Sequence, residues 1–169
     1  MGEITIREVT EADDFNAIGE VYAQSWKVAY RGIMPQEYLD GLLGERWAKT
    51  LAKLQYRAMV ALEDGEYVGT SAFGAARDDT MAGYGEIISI YLLPEHFGRG
   101  YAEPLLNAVE NALSAEGYTS AYLWVLSDNA RAIRFYEKQG FCHNGDVAEI
   151  EIAGVKLTEC RYVKRLGDV

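Results

Sequence analysis

The chain has 169 residues, 49% of them hydrophobic and 25% charged, a balance that fits one globular domain and excludes general disorder and a collagen-like repeat. Its 16 Lys and Arg stand against 26 Asp and Glu, and a formal net charge of −10 repels a phosphate backbone, so nucleic acid is not an expected partner. Two Cys and two His are too few for a disulfide framework or a Cys- or His-rich metal site. The opening residues lack the basic and apolar regions of a secretion signal, and no apolar run spans a bilayer, so the expected setting is cytoplasmic, with no membrane and no metal.

Ile4, Ile6 and Val9 open the chain with a β-prone stretch. Thr10, with Asp13 three residues on, offers a helix N-cap, and Phe15, Ile18, Val21, Tyr22 and Trp26 recur at helical spacing, which predicts a helix over residues 13–30. A short helix follows Met34-Pro35, and a third is expected over residues 46–54. The period then changes. Residues 58–63 and 66–75 read as strands around Asp64-Gly65, a hairpin turn. Residues 84–93 read as one further strand. A helix over 100–115 gathers Leu105, Leu106, Val109 and Leu113 on one side and stops at Gly117. A strand over 121–126 and a helix over 129–139, closed by Gly140, come next. Strands over 141–152 and 155–163 meet at Ala153-Gly154.

The hairpins imply antiparallel pairs, and the strand-helix-strand unit over 84–126 implies a right-handed parallel crossover. The expected fold is therefore α/β (α+β): a single domain, residues 1–169, on a mixed, mostly antiparallel central sheet with helices on both faces.

Two segments carry chemistry. Pro94-Glu-His-Phe-Gly-Arg-Gly-Tyr-Ala102 lies between a strand and a helix. Its glycines let the backbone approach a ligand, and the helix beyond presents unpaired N–H groups and a positive dipole end, which suits a pyrophosphate. The third glycine of a dinucleotide fingerprint is missing, and no Gly-Lys-Ser/Thr follows as in a P-loop. The second segment, Ser127 through Phe141, places Asn129 and Tyr136 about two helical turns apart on one side of a helix. Each also has a plain structural use, Asn129 as an N-cap and Tyr136 as core.

With these segments the chain resembles the Gcn5-related N-acetyltransferase (GNAT) superfamily. Residues 86–95 resemble that family's central strand, Gly98-Arg-Gly100-Tyr-Ala102 its Gln/Arg-x-x-Gly-x-Gly/Ala loop, and Asn129-x-x-Ala132-x-x-Phe135-Tyr136-x-x-x-Gly140-Phe141 its last shared segment. The resemblance implies acetyl-CoA as donor and a primary amine as acceptor. It implies that the loop from Phe97 through Gly98, Arg99, Gly100 and Tyr101 to Ala102 holds the pyrophosphate. It also implies that the strand splays open after Ile90, freeing backbone near Tyr91 and Leu92 for the pantetheine, with Asn129 at the pantetheine end. Tyr136 is then the acid that protonates the departing thiolate. Phe97 stands where the family carries Gln or Arg, and Glu103-Pro104 occupies the first turn of the helix.

Acetyl transfer also needs a base, because an alkylammonium has no lone pair at neutral pH. Glu86, in an otherwise apolar strand, is the candidate: burial is expected to raise its pKa, and alternation places it on one face with Ile88, Ile90 and Leu92. His96 is the reserve. Trp26 and Tyr30, among a group that includes Tyr38, Trp47 and Tyr56, are expected to bind the acceptor. Residues 25–40 resemble a bacterial subgroup that includes polyamine acetyltransferases. The expected reaction is therefore acetylation of a small amine, a polyamine among the candidates. The alternatives are a protein or peptide amine as acceptor, and a non-catalytic domain that binds acyl-CoA. A free strand edge near Cys142 and Cys160 suggests a homodimer.

Overall fold

The computed structural model describes residues 2–53 and 56–167. Strand β1 (Ile4–Glu8) leads to α1 (Phe15–Ala29), α2 (Gln36–Asp40) and α3 (Glu45–Ala52), then to the hairpin β2 (Arg57–Glu63) and β3 (Glu66–Ala75). After β4 (Gly85–Ile87) and β5 (Tyr91–Leu92) come α4 (Ala102–Ala115), β6 (Ser120–Leu126), α5 (Ala130–Lys138), β7 (Cys142–Ile152) and β8 (Val155–Arg165). The sheet runs β1-β2-β3-β4-β6-β8-β7, with β5 on β3. The β4–β6 pair is parallel, as the crossover requires, and the other pairs are antiparallel.

Helices do cover both faces. Along β2, Met59 and Ala61 point into a core under α4 and α5, where Leu105, Leu106, Val109 and Leu113 are fully buried. Each such side chain contributes roughly 2 kcal/mol by leaving water. Val60 and Leu62, one residue out of step, pack under α1 against Ile18 and Tyr22. Leu39 of α2 sits with Tyr30, Leu126 and Leu157 in a third cluster.

Helix α1 starts later than expected. Asp14, not Thr10, is its N-cap, accepting from the Asn16 and Ala17 N–H groups. Asp13 is instead a buried tie that accepts from Arg7, the Thr10 N–H and the Tyr67 hydroxyl, joining β1, the helix start and β3. The expected end of the third helix at Leu54 lies outside the described residues.

The larger departure is the strand expected over 84–93, which breaks in the middle. The Ala72 carbonyl accepts from both Ile88 N–H (2.8 Å) and Ser89 N–H (3.3 Å), two residues facing one, which is a β-bulge. Polar side chains lock it: Ser71 Oγ donates to the Ser89 carbonyl (2.7 Å), and Ser89 Oγ accepts the Ala72 N–H while hydrogen-bonding Tyr22. Beyond the bulge the chain follows β3, and β6 is left paired on the β8 side alone from Leu123 to Leu126. A V-shaped opening between β5 and β6 results. No described helix is long and apolar enough to cross a membrane.

Candidate active site

Two cavities meet at the mouth of that V. One, of about 350 Å³, runs along the start of α4 and the side of α5. The other, of about 240 Å³, lies beneath α1 and is walled by β4, β6, β7 and β8. They share Ile90, Tyr91, Asn129, Ala132 and Tyr136.

The first cavity is a cradle of backbone donors. Gly98 (φ 72°) and Gly100 (φ 83°) take left-handed conformations that turn the loop, and a Cβ at either would meet only open space. The N–H groups of Gly98, Gly100, Tyr101, Ala102 and Glu103 find no acceptor among the described residues, and Tyr101, the N-cap, supplies no side-chain cap. Such a row of free donors on a 14-residue helix is built for an anion. Phe97, Gly98, Gly100, Tyr101 and Ala102 all line this cavity, with Ile90, Tyr91, Leu92, Asn129 and Tyr136.

Two basic side chains of the loop turn elsewhere. Arg99 Nη2 reaches Glu63 (3.4 Å), and His96 Nε2 lies 2.8 Å from the same carboxylate. The Tyr101 hydroxyl donates to Glu63 as well (2.7 Å), and these partners, Tyr101 foremost, hold Glu63 well below the usual carboxylate range. They pin the loop to the end of β2. Arg99 lines neither cavity and gives its N–H to the His96 carbonyl (3.4 Å), so the expected contact from Arg99 is not formed; His96 also lines neither cavity and has no place as a base. Positive charge comes instead from α5: the Arg131 guanidinium lies 3.9 Å from the centroid of the Phe97 ring and lines the same cavity. The ring thus seats a cation contributed from another element. Arg131 was not singled out in the sequence because it is distant from the glycine loop; its signal is that it occupies the first turn of α5, which the V brings alongside.

At the junction, Asn129 caps α5 through Oδ1, which accepts the Ala132 N–H (3.3 Å), and the residue lines both cavities. The Tyr136 ring is buried, and its hydroxyl has no hydrogen-bond partner among the described residues. Burial, with Tyr30 adding to it, raises this phenol, so it keeps its proton at neutral pH. The Ile90 N–H, just past the bulge, also donates to nothing among the described residues.

Trp26 and Tyr30 line the second cavity, with Tyr30 hydrogen-bonded to Tyr91 through their hydroxyls (2.7 Å). Trp47 and Tyr56 line an adjoining lobe of about 250 Å³, which also touches Trp26, Arg77 and Tyr91. Tyr38 lies apart, accepting from Arg46.

Glu86 is in the second cavity, but in a different state from the one expected. Its carboxylate accepts from the Arg77 N–H (3.0 Å), from the Arg77 guanidinium (2.6 Å at closest) and from the Tyr122 hydroxyl (2.7 Å). Burial alone would raise it, but these donors outweigh burial and hold it below the usual carboxylate range. The alternation expected for it also fails. Ile87 and Leu92 share the α4-side core, an odd and an even position, because the bulge inserts a residue and flips the pleat. Glu86 faces α1, whereas Leu92 faces α4.

The cavity holds a second carboxylate that sequence reasoning missed. Glu159 on β8, opposite Leu126 and Ala148, lines it and has no hydrogen-bond or ion-pair partner among the described residues. Burial and the nearby charge of Glu86 raise it, against an opposing effect of Arg77. The available signal was β8 alternation: Glu159 follows buried Leu157 on the face that also carries buried Arg161. Among the described residues no group of three or more His, Cys, Asp or Glu is placed to hold a metal ion.

Residues 17–141 match the model of the acetyltransferase (GNAT) family. The chain is 32% identical over 162 residues to the uncharacterized N-acetyltransferase YuaI of Bacillus subtilis, covering 92% of this chain and 90% of that protein. It is 28% identical to a spermidine N(1)-acetyltransferase of Thermoplasma acidophilum, covering 82% and 88%. In fold it is similar to the PaiA N-acetyltransferase of Thermoplasma acidophilum, crystallised with coenzyme A: TM-score 0.74, 23% identity, covering 96% of this chain and 99% of that one.

Proposed function

The chain belongs to the acetyltransferase (GNAT) family and is an acetyl-CoA-dependent N-acetyltransferase; from that premise we propose that, as one domain, it acetylates the primary amine of a small cationic molecule. The observation that carries the reading is the meeting of an anion-binding cleft and an aromatic-walled cavity at Tyr136. Acetyl-CoA fits the first: its pyrophosphate takes the free N–H groups from Gly98 to Glu103, and Arg131 adds a charge-assisted contact. Its pantetheine arm runs past Leu92 and Tyr91 toward Asn129. The thioester then lies at the junction, where the Ile90 N–H is offered to the carbonyl oxygen as charge builds there. Tyr136, uncharged and with a free hydroxyl, donates its proton to the departing sulfur. Glu86, already accepting on both oxygens and paired with Arg77, is held below the usual carboxylate range and is not placed to act as the base.

A cavity of about 240 Å³ with Trp26 and Tyr30 in its wall favours a small acceptor over a peptide, which needs a long groove. Polyamines are the first acceptors to test, given the spermidine-acetylating relative. A homodimer would use the outer edge of β7, where Val147 is 60% exposed; light scattering measures it directly. The functional test is thiol release from acetyl-CoA with polyamines, monoamines, aminoglycosides, and lysine or N-terminal peptides. The reading expects turnover with small amines. Turnover with peptides alone supports the protein-acetylating alternative, and donor binding without any turnover supports a sensing domain.

A further inference from the structure

The charges around the second cavity do not cancel. Glu86 is neutralised by Arg77 through paired hydrogen bonds. Glu159 faces the same space with no partner among the described residues. The other titratable side chains facing it are Tyr30 from α1, Tyr91 from β5 and Tyr136 from α5; β6 presents Trp124 and β7 presents Ile150 and Ile152, none of which titrates. Arg161, two residues along β8, is committed to Asp78 and Asp146. The cavity therefore holds one carboxyl group, on a half-buried residue, with no cation paired to it among the described residues. Leaving a carboxylate so placed is costly unless a cation or a proton joins it.

We propose that Glu159 is a catalytic residue of this enzyme: it binds the acceptor as its ammonium and takes the proton that frees the nitrogen for attack. This rests on the reading of the protein as a small-amine acetyltransferase. The ammonium gives one proton to the Glu159 carboxylate, leaving a neutral amine and a carboxylic acid. The amine lone pair forms the C–N bond to the thioester carbon and the C–S bond breaks. Tyr136 gives its proton to the sulfur and recovers one from the new amide nitrogen, and Glu159 returns its proton to water. One ammonium and one thioester become one amide, one thiol and one proton in solution.

Glu159 also explains a choice of acceptor. A single free carboxylate selects a single ammonium at the reacting end. The remainder of the molecule lies along Trp26 and Tyr91 into the adjoining lobe, whose charged lining groups are Arg57 and Arg77. Arg57 is paired with Glu8 and Glu116, and Arg77 with Glu86, so this lobe suits methylenes or a ring more than a second cation.

The test uses Glu159→Gln, nearly the same in shape, with spermidine and n-butylamine as probes. Calorimetry with acetyl-CoA should give the parent affinity, which shows the variant folded with its donor cleft intact. Calorimetric binding of the amine should weaken at least about tenfold. Turnover should fall about a hundredfold, the scale of a lost general base, and the acidic limb of the kcat/KM profile should disappear. With trifluoroethylamine, already neutral at the assay pH, the loss should be much smaller. Parent-like amine binding, turnover and pH profile in Glu159→Gln would overturn the proposal. Failure of the parent itself to turn over either amine overturns the small-amine reading instead, and the two failures are distinguishable.

Discussion

Replacing Arg77 by Met removes the guanidinium and leaves the Glu86 carboxylate buried at 2% exposure, with the backbone N–H of position 77 and the Tyr122 hydroxyl as its donors. Breaking a fully buried pair costs about 3–5 kcal/mol. The Arg77 side chain is 49% exposed, so solvent screening brings the expectation to about 2 kcal/mol. At about 2–4 °C per kcal/mol for a domain of this size, Tm falls by about 4–8 °C at pH 7. The pH dependence changes as well. In the parent, Glu86 lies below its unfolded value, so its contribution is present above that value and is lost as pH falls through the folded one. In the variant, burial is opposed by the N–H of position 77 and the Tyr122 hydroxyl alone, so Glu86 rises relative to the parent and the stability it contributes at pH 7 shrinks, a deficit that acidification reduces. Arg77 also holds Glu159 down, and its removal moves that group the same way. Thermal melts of both proteins at pH 7 and pH 5 read this directly: the gap should narrow at pH 5. A variant that melts with the parent at pH 7, or a gap that widens at pH 5, refutes the reasoning.

Tyr136→Phe should lower kcat by about a hundredfold or more while the KM for acetyl-CoA stays within about twofold, because it removes a proton donor and little contact area; steady-state kinetics checks it. Arg131→Ala should raise the KM for acetyl-CoA by about tenfold and leave kcat nearly unchanged, the mark of a contact made equally in ground and transition states. Gly100→Ala should cost about 1–2 kcal/mol in thermal stability from its left-handed φ, though its Cβ has room, and should also weaken acetyl-CoA in calorimetry by placing a methyl in the cradle.

The fold was legible because each segment's period agreed with its place. The Leu105–Leu113 stripe, the Asp64-Gly65 turn and the glycine stops all read locally, and the parallel β4–β6 pair followed from connection length. The donor cradle was legible for the same reason, since Gly98 to Ala102 form one continuous loop. What could not be read depends on contacts between distant segments. The bulge at Ile88 and Ser89 is held by Ser71 and Tyr22, and no local pattern in 84–93 reveals it. It moved Glu86 and Leu92 to opposite faces. The state of Glu86 depends on Arg77 and Tyr122, and that of His96 on Glu63, all brought together by the sheet. Arg131 and Glu159 entered the site through the opening between β5 and β6, which has no signature in either residue's own neighbourhood.

The central claim is that donor and acceptor occupy two cavities at once and react where these meet, beside Tyr136. Initial rates of thiol release over a grid of acetyl-CoA and spermidine concentrations test it most directly. Direct attack in a ternary complex gives lines that intersect in double-reciprocal form. Parallel lines, with acetyl groups retained on the protein after acetyl-CoA alone, would mean a covalent relay and would contradict the account.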